Sequence, residues 1–513
     1  MTSKEKFVEE IRQSFTFKGE YLTLGGAIFQ QQPVKDLQIN IPLKTLNRHG
    51  LIAGATGTGK TKTLQVITER LSEKSVPVLL MDIKGDLSGL AASGTVNAKI
   101  EERHKNIGEP YAPRAFPVEL LTISEQKGVR LRATVSEFGP VLFSKILELN
   151  DTQSGIVSLI FKYCDDNQLP LLDLKDFKKV LQFITNEGKD GIESEYGKIS
   201  TASTGTILRK IIELEQQQAN LFFGEKSFEV DDLMRINEEG FGMISILRLN
   251  DLQDKPKLFS TFMLSLLAEI YSSFPEEGDL DQPKLAIFID EAHLIFSEAS
   301  KALLDEIETI IKLIRSKGVG IFFCTQNPTD IPDSILSQLG LKIQHALRAF
   351  TAKDRKMIKL TAENYPISEY YKTDELLTSL GIGEAAVAAL DEKGRPTALA
   401  ATLLCAPKSR MDILTTEEIE SVISRSTILK KYSEAIDRES AYELLNAKLA
   451  SASDSDTQNK IPASTRQPKS AVEKMIDSPL ARQVGRTVAR ELTRGILGVL
   501  GLGGTTRKRK SLF

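Results

Sequence analysis

Apolar residues recur along the chain in two patterns that predict alternating strands and helices. Short, almost wholly apolar runs have the composition of strands buried in a parallel sheet, and they lie at residues 76–83, 242–247, 285–289 and 319–324. Residues 62–71 instead place their apolar side chains at helical spacing, and residues 258–274 predict a longer, strongly apolar helix. The alternation predicts an α/β fold with a mainly parallel sheet.

Two segments are predicted in addition to the strands and helices of this core, which we assign to residues 49–411. Residues 1–48 predict a short N-terminal helix and a small β-hairpin, with strands at 21–29 and 37–43, that leans on the core. Residues from about 135 to 237 have a largely helical pattern and form an insertion within the core. This insertion could grip a substrate, or it could simply cover one edge of the sheet.

The C-terminal part of the chain changes in composition twice. Residues 412–450 predict a charged helical extension that starts with a capping box at Thr415, and the Ser-, Asp-, Gln- and Pro-rich residues 451–470 predict a disordered linker. Residues 471–513 carry nine Lys or Arg against three Asp or Glu. Four arginines recur every fourth residue and would share one helix face, at Arg482, Arg486, Arg490 and Arg494. Such a basic amphipathic tail could bind anionic lipid, nucleic-acid phosphate or an acidic protein surface, including an acidic face of its own chain.

Composition narrows the class of protein without identifying it. Apolar content of 41% and charged content of 26% are those of an ordinary soluble globular protein. The net charge of −3 provides no overall attraction to nucleic acid or anionic membrane, so any such binding must come from local patches. No apolar run reaches the roughly 18 residues of a membrane-spanning helix, and the polar start does not resemble a signal peptide. With three scattered cysteines, the expected location is the cytoplasm.

The most specific motif follows the apolar residues 51–53. Residues 54–61, GATGTGKT, fit the phosphate-loop pattern G-x-x-x-x-G-K-[ST] at every fixed position. A Gly-rich turn between a strand and a helix directs backbone N–H groups at phosphate oxygens, while Lys60 would reach the β- and γ-phosphates and Thr61 would hold Mg²⁺. The predicted nucleotide-binding residues are Gly54, Ala55, Thr56, Gly57, Thr58, Gly59, Lys60, Thr61 and Thr63.

Acidic residues end two of the predicted strands. The apolar run 285–289 leads into Asp290 and Glu291, which matches a Walker B strand. Asp290 would join the Mg²⁺ shell, and Glu291 would act on the water that attacks the γ-phosphate. Asp82 and Asp86 lie where the run 76–83 ends, beside Lys84 and Gly85. These two carboxylates could position Mg²⁺ or water, or they could merely cap a surface turn.

Polar residues near two further strands are candidates for sensing or stabilising phosphate charge. Gln326 follows the apolar run 319–324, where a glutamine can sense the γ-phosphate or orient water. Arg315 precedes this strand, and Arg348 follows the next one. Either arginine could stabilise transition-state charge on the ATP of a neighbouring subunit.

Together these segments resemble a known superfamily. The stretches HGLIAGATGTGKT, MDIKGDLSGL, DEAHLIF and IRSKGVGIFFCTQNPTDIPDSILSQLGLKIQHALRAFT are similar to those of HerA/FtsK P-loop ATPases, and more closely to the bacterial HerA-like (YjgR-type) family. The resemblance implies a RecA-like core with an additional strand, and hexameric rings that bind ATP between subunits. It also implies that Arg315, rather than Arg348, is the trans-acting arginine, and that Gln326 is the sensor.

The expected function follows from these residues and this resemblance. We expect a cytoplasmic, Mg²⁺-dependent ATP hydrolase that works as a ring-forming translocase or helicase-like motor on double-stranded DNA. The alternative is an ATP-driven remodelling or scaffold protein that acts on a protein or on a membrane surface through the basic tail. HerA proteins carry an N-terminal β-barrel, and residues 1–48 are too few for a full barrel, so none is expected.

Overall fold

The computed structural model of the chain describes residues 2–278, 280–298, 301–433 and 439–458. The predicted tail at 471–513 and the predicted linker from residue 459 onward lie outside these residues. The described residues form two compact units. The first unit contains residues 2–133, 212–271 and 275–433, and the second contains residues 134–211, 272–274 and 439–458.

One sheet runs through the first unit. Its strands, in chain order, are β1 Tyr21–Phe29, β2 Gln32–Pro42, β3 Gly50–Ala53, β4 Val78–Asp82, β5 Val118–Thr122, β6 Val129–Arg130, β7 Ile244–Arg248, β8 Leu285–Ile289, β9 Val319–Thr325, β10 Leu341–Gln344, β11 Glu384–Ala388 and β12 Ala400–Leu404. Among the described residues they form a 12-stranded sheet in the order β2-β1-β12-β11-β10-β3-β9-β8-β4-β7-β5-β6.

Strand direction divides this sheet into two parts. From β10 to β6 in the order given, neighbouring strands are parallel. From β10 to β2 they are antiparallel. Every residue of β3, β4, β8 and β9 is buried, which explains why these strands read as continuous apolar runs. The predicted α/β fold with a mainly parallel sheet is confirmed.

The N-terminal hairpin is part of the sheet. It is predicted as a small unit leaning on the core, but β1 pairs with β12 and extends the sheet at its antiparallel end. Gly25 permits this pairing, because a Cβ there would lie 2.0 Å from the Leu403 carbonyl oxygen. The apolar pattern of a strand does not indicate such a close backbone approach, so the sequence did not predict this pairing.

The helices connect the strands and also build the second unit. In chain order they are α1 Ser3–Phe15, α2 Lys60–Glu73, α3 Ala98–Ile107, α4 Val135–Ile146, α5 Asp151–Asp166, α6 Leu174–Thr185, α7 Lys189–Tyr196, α8 Thr201–Gln216, α9 Pro256–Ser273, α10 His293–Glu298, α11 Lys301–Ile314, α12 Asp333–Leu336, α13 Ala352–Glu363, α14 Thr373–Ser379, α15 Thr416–Ser424, α16 Leu429–Ser433 and α17 Ala441–Gln458. Among the described residues, no helix is both long and apolar enough to cross a membrane.

Several helices differ from the sequence prediction. α3 has no predicted counterpart, because Ile100 and Ile107 are the only large apolar side chains that it buries. Within the stretch predicted as largely helical, α8 ends at Gln216, and Val230–Leu233 is a short 3-10 helix. α17 runs to Gln458 and so enters the residues predicted as a disordered linker.

The second unit is helical and has an aromatic core. The ring of Phe177 in α6 packs against that of Phe143 in α4, with centroids 4.9 Å apart, and Phe161 lies beside both. The start of α17 is bound to the same helices, since the Tyr442 backbone N–H donates to the Asp176 carboxylate over 2.9 Å. A C-terminal helix therefore belongs to the unit formed by the predicted insertion.

Candidate nucleotide-binding site

A glycine-rich turn joins β3 to α2, and its backbone conformation requires glycine. Gly54, Gly57 and Gly59 have φ angles of 150°, 78° and 110°. At Gly54 the space is restricted as well, because a Cβ would lie 2.5 Å from the Cβ of His345. Gly59 caps α2 without a side-chain hydrogen bond, so no capping side chain competes with a phosphate for the first N–H groups of the helix.

Lys60 lies over the turn that precedes it. Its Nζ donates to the carbonyl oxygen of Gly54 over 2.6 Å and to that of Ala55 over 3.2 Å. The Thr58 hydroxyl donates to the same Ala55 carbonyl over 2.7 Å and tightens the turn. Burial lowers the pKa of Lys60, and the nearby Lys84 ammonium lowers it further. The cation is therefore held where phosphate oxygens would meet the N–H groups of the turn.

The loop after β4 contacts the start of α2. Asp82 accepts hydrogen bonds from the backbone N–H groups of Gly85, Asp86 and Leu87, so this carboxylate holds the loop in place. Burial raises the pKa of Asp82 to about 6, and the neighbouring Asp86 adds to the shift. Asp86 instead accepts a hydrogen bond from the Thr61 hydroxyl over 3.3 Å. Asp82 therefore caps the loop, and Asp86 lies beside Thr61, the predicted Mg²⁺ ligand.

Asp290 follows β8 at the same edge of the sheet. Its side chain is buried, with 6% exposed, and its Oδ2 has no hydrogen-bond partner among the described residues. Burial raises the pKa of Asp290 to about 7, while the Lys84 ammonium opposes this shift. Divalent magnesium prefers carboxylate and hydroxyl oxygens. A buried carboxylate oxygen without a partner, together with the Thr61 hydroxyl, therefore fits Mg²⁺.

Glu291 lies between the side chains of Lys84 and His293. Oε1 forms an ion pair with the Lys84 ammonium, and Oε2 lies 3.1 Å from His293 Nδ1. The Glu291 side chain is 8% exposed, and its backbone has a φ angle of 46°. A positive φ at a residue other than glycine is uncommon and often accompanies functional sites.

Thr63 and His345 form a contact beneath the turn. The Thr63 hydroxyl lies 2.9 Å from His345 Nε2, and both side chains are buried. Burial lowers the pKa of His345 to about 4, and the Lys60 ammonium adds to the shift, so the imidazole is neutral at pH 7. The sequence prediction missed His345. The sequence offers one signal for His345: it is a polar residue directly after β10, which pairs with β3.

Gln326 lies at the same edge of the sheet, directly after β9. Because β9 pairs with β3 on one side and β8 on the other, the end of β9 lies between the glycine-rich turn and Asp290. The Gly54 N–H donates to the carbonyl of Thr325 over 3.3 Å, which joins this strand end to the turn. The Gln326 side chain is exposed.

The two candidate arginines lie at opposite ends of their strands. Arg348 is exposed and follows β10, at the same edge as the glycine-rich turn. Arg315 is exposed and precedes β9 in the 3-10 helix Arg315–Lys317. The seven residues of β9 span about 20 Å. Arg315 therefore lies far from the glycine-rich turn of its own chain.

Comparison with known proteins places this geometry in a family. The family described as "Helicase HerA-like C-terminal" matches residues 28–470. The chain belongs to this HerA-like family. Membership of the HerA/FtsK superfamily of P-loop ATPases, predicted from the motifs, is thereby confirmed.

Curated relatives of this HerA-like chain are archaeal helicases. The DNA double-strand break repair helicase HerA of Sulfolobus acidocaldarius is 23% identical over 363 residues, covering 69% of this chain and 64% of the relative. The HerA helicase of Saccharolobus solfataricus is 24% identical over 393 residues, covering 75% of this chain and 69% of the relative. The HerA-like chain thus spans about two thirds of the length of these helicases.

A solved structure shares the fold at low sequence identity. The plasmid coupling protein TrwB, in complex with the non-hydrolysable ATP analogue ADPNP, superposes with a TM-score of 0.50 and 14% identity. The match covers 80% of this chain and 95% of TrwB. At this identity the similarity supports the fold, a mainly parallel α/β sheet with helices.

Proposed function

We propose that this HerA-like chain is an Mg²⁺-dependent ATP hydrolase that works as a motor on double-stranded DNA. The observation that carries the proposal is the convergence of Lys60, Thr61, Asp290 and Glu291 at one edge of the parallel sheet. Ligands of open α/β sheets bind at this edge, outside the carboxyl ends of the strands. The names of the archaeal relatives, which are DNA double-strand break repair helicases, support DNA as the substrate.

The chemistry of each residue supports a specific role in ATP hydrolysis. Lys60 and the N–H groups of residues 54–59 neutralise and orient the phosphates, and Thr63 with His345 supports the turn from below. Thr61 and Asp290 would hold Mg²⁺, and the bound ion would neutralise charge that develops on the phosphate oxygens. Glu291 accepts the proton of the attacking water, and Gln326 orients that water.

DNA is expected to stimulate ATP turnover in a salt-dependent way. Neutralising DNA phosphates with lysine and arginine releases counterions, so binding weakens steeply between about 50 and 200 mM salt. We expect turnover to rise at least about tenfold with double-stranded DNA at low salt and to fall toward the basal rate at moderate salt. The measurement is the steady-state ATPase rate with and without DNA, with Glu291→Gln as the blank.

A basal rate that is indifferent to DNA would contradict the DNA motor and leave the ATPase standing. The basic residues 471–513 then favour the alternative, in which the chain acts on a protein or on an anionic membrane. Deleting these residues distinguishes the two: lost binding to anionic liposomes with unchanged turnover on DNA would assign the tail to the membrane.

Arg315 is proposed to serve the ATP of a neighbouring subunit in a hexameric ring. We expect Arg315→Ala to lower hydrolysis about 10³-fold while ATP binding is kept, because an arginine of this kind stabilises charge that develops in the transition state. Its distance from its own glycine-rich turn supports a role in trans. Mixing Arg315→Ala with Lys60→Ala subunits should restore turnover, since each variant supplies the part that the other lacks.

The matched control for Arg315 is Arg348→Ala. This variant removes the exposed arginine at the carboxyl edge of the sheet, whereas Arg315 precedes β9 at the opposite edge. We expect it to keep turnover within about threefold of the unmodified chain. Mixed rings that stay inactive, once mixing is verified by mass, would contradict the role in trans. A large loss of turnover in Arg348→Ala alone would transfer the role to Arg348.

A further inference from the structure

Lys84 and Glu291 form an ion pair between two loops at the carboxyl edge of the sheet. Lys84 lies in the loop after β4, and Glu291 is the second residue after the neighbouring strand β8. The Lys84 side chain is 35% exposed, whereas that of Glu291 is 8% exposed. The lysine can therefore leave the pair for another anion at the surface of the site, while the carboxylate stays enclosed.

The pairing conflicts with the proposed work of Glu291. A carboxylate that neutralises an ammonium group is a weaker proton acceptor than the same carboxylate free of it. The second oxygen, Oε2, lies 3.1 Å from His293 Nδ1, and the two atoms do not form a hydrogen bond. In this arrangement Lys84 holds Glu291, and a water molecule would have to compete with the ammonium group for the carboxylate.

Lys84 is also close to the other cation of the site. The loop that carries Lys84 contacts the start of α2, because Asp86 accepts a hydrogen bond from the hydroxyl of Thr61, the residue that follows Lys60. Two ammonium groups that repel each other form a strong site for a polyanion between them. ATP carries one more phosphate group and one more negative charge than ADP, and its γ-phosphate is the ligand that fits this pair.

We propose that Lys84 is a positioning residue that couples the γ-phosphate of ATP to the release of Glu291. The proposal rests on the ATP-hydrolase function proposed above. Lys84 holds Glu291 in the ion pair, and the oxygens of the γ-phosphate compete for the same ammonium group. When Lys84 moves to the phosphate, Glu291 becomes free to accept a proton from water. ADP has no γ-phosphate and leaves the pair intact, so Glu291 acts only when there is a phosphate to attack.

This competition predicts a measurable coupling in nucleotide affinity. Binding of an ATP analogue must break the pair, so removing the charge of Glu291 should favour the analogue over ADP. Removing the charge of Lys84 should do the opposite, because the γ-phosphate loses a charge-assisted contact. In the absence of the Lys84 charge, Glu291 has no ammonium group to pair with at this position. Removing the charge of Glu291 should then no longer strengthen binding of the analogue through this pair.

The test is a double-mutant cycle on affinity, with AMP-PNP and ADP as the probes and Mg²⁺ present. We expect Glu291→Gln to raise the ratio of AMP-PNP to ADP affinity about tenfold, and Lys84→Met to lower it about tenfold. The double variant should match Lys84→Met within about twofold. Lys84→Arg, which keeps the charge, should restore most of the ratio, and unchanged ADP affinity in every variant verifies folding.

The matched control pair lies at the other end of β8, where Lys284 pairs with Glu277. Glu277→Gln and Lys284→Met should leave the affinity ratio unchanged. If the effects of Glu291→Gln and Lys84→Met simply add while the unmodified chain binds and hydrolyses ATP, the coupling is overturned and the ATP hydrolase stands. If the unmodified chain binds neither nucleotide, the proposed function and the coupling both fail.

Discussion

Replacing Glu291 by glutamine is expected to lower ATP hydrolysis by about 10²- to 10⁴-fold while ATP stays bound. Glutamine has nearly the same shape but cannot accept a proton from water, so the chemical step loses its base. The phosphate contacts come from Lys60 and the glycine-rich turn, which the substitution leaves in place. The expected product is a chain that retains ATP, measured as radiolabelled ATP that co-elutes with the protein and is recovered unhydrolysed.

Glu277→Gln is the matched control for this substitution. Glu277 pairs with Lys284 near the start of β8, whereas Glu291 follows the end of the same strand. The control makes the same chemical change in a comparable ion pair and should keep turnover within about twofold. If Glu291→Gln retained turnover near the unmodified rate, another group would have to be the base.

Replacing Lys60 by alanine is expected to abolish nucleotide binding at micromolar concentrations, with a loss of at least about 100-fold in affinity. The substitution removes the ammonium group that would meet the β- and γ-phosphates. It also removes the donor that binds the Gly54 and Ala55 carbonyls, so the turn loses two of its contacts. Titration of a fluorescent ATP analogue measures the loss directly.

Lys62→Ala is the matched control, because Lys62 lies two residues further along the same helix. Its ammonium group donates to the Met411 carbonyl rather than to the glycine-rich turn. We expect this variant to bind the analogue within about threefold of the unmodified chain. Equal retention of ATP by Lys60→Ala and Glu291→Gln would show that the two residues do not have the separate roles assigned to them.

The predictions from sequence were most accurate where neighbouring residues determine the structure. Strand β1 was predicted with its bounds, and α6 lies within the stretch predicted as largely helical. The glycine-rich turn between β3 and α2 was also predicted, because its positive φ angles require glycine at fixed spacing. The helix α3 was missed, since a mostly exposed helix that buries few apolar side chains has a weak periodic signal.

Hydrogen bonds decided between the two roles that the sequence left open for the carboxylates in the loop after β4. Asp82 and Asp86 have the same side chain and lie four positions apart, so the sequence could not separate a capping role from a role beside Mg²⁺. In the structure Asp82 accepts backbone N–H groups of its own loop, while Asp86 reaches the Thr61 hydroxyl. The difference arises from which carboxylate faces α2, and that is a property of the folded loop.

The sequence by itself determined which functional groups each segment supplies. These groups are the backbone of the turn at residues 54–59, Lys60 after it, and two carboxylates that follow an apolar strand. The tertiary structure alone decided which of these meet. The contact between Thr63 and His345 joins residues 282 positions apart, and α17 binds α6 through residues 266 positions apart. Contacts of this range depend on strand order and helix docking. One apolar strand can pair with any other, and only the packing of the whole unit selects β9 to lie between β3 and β8.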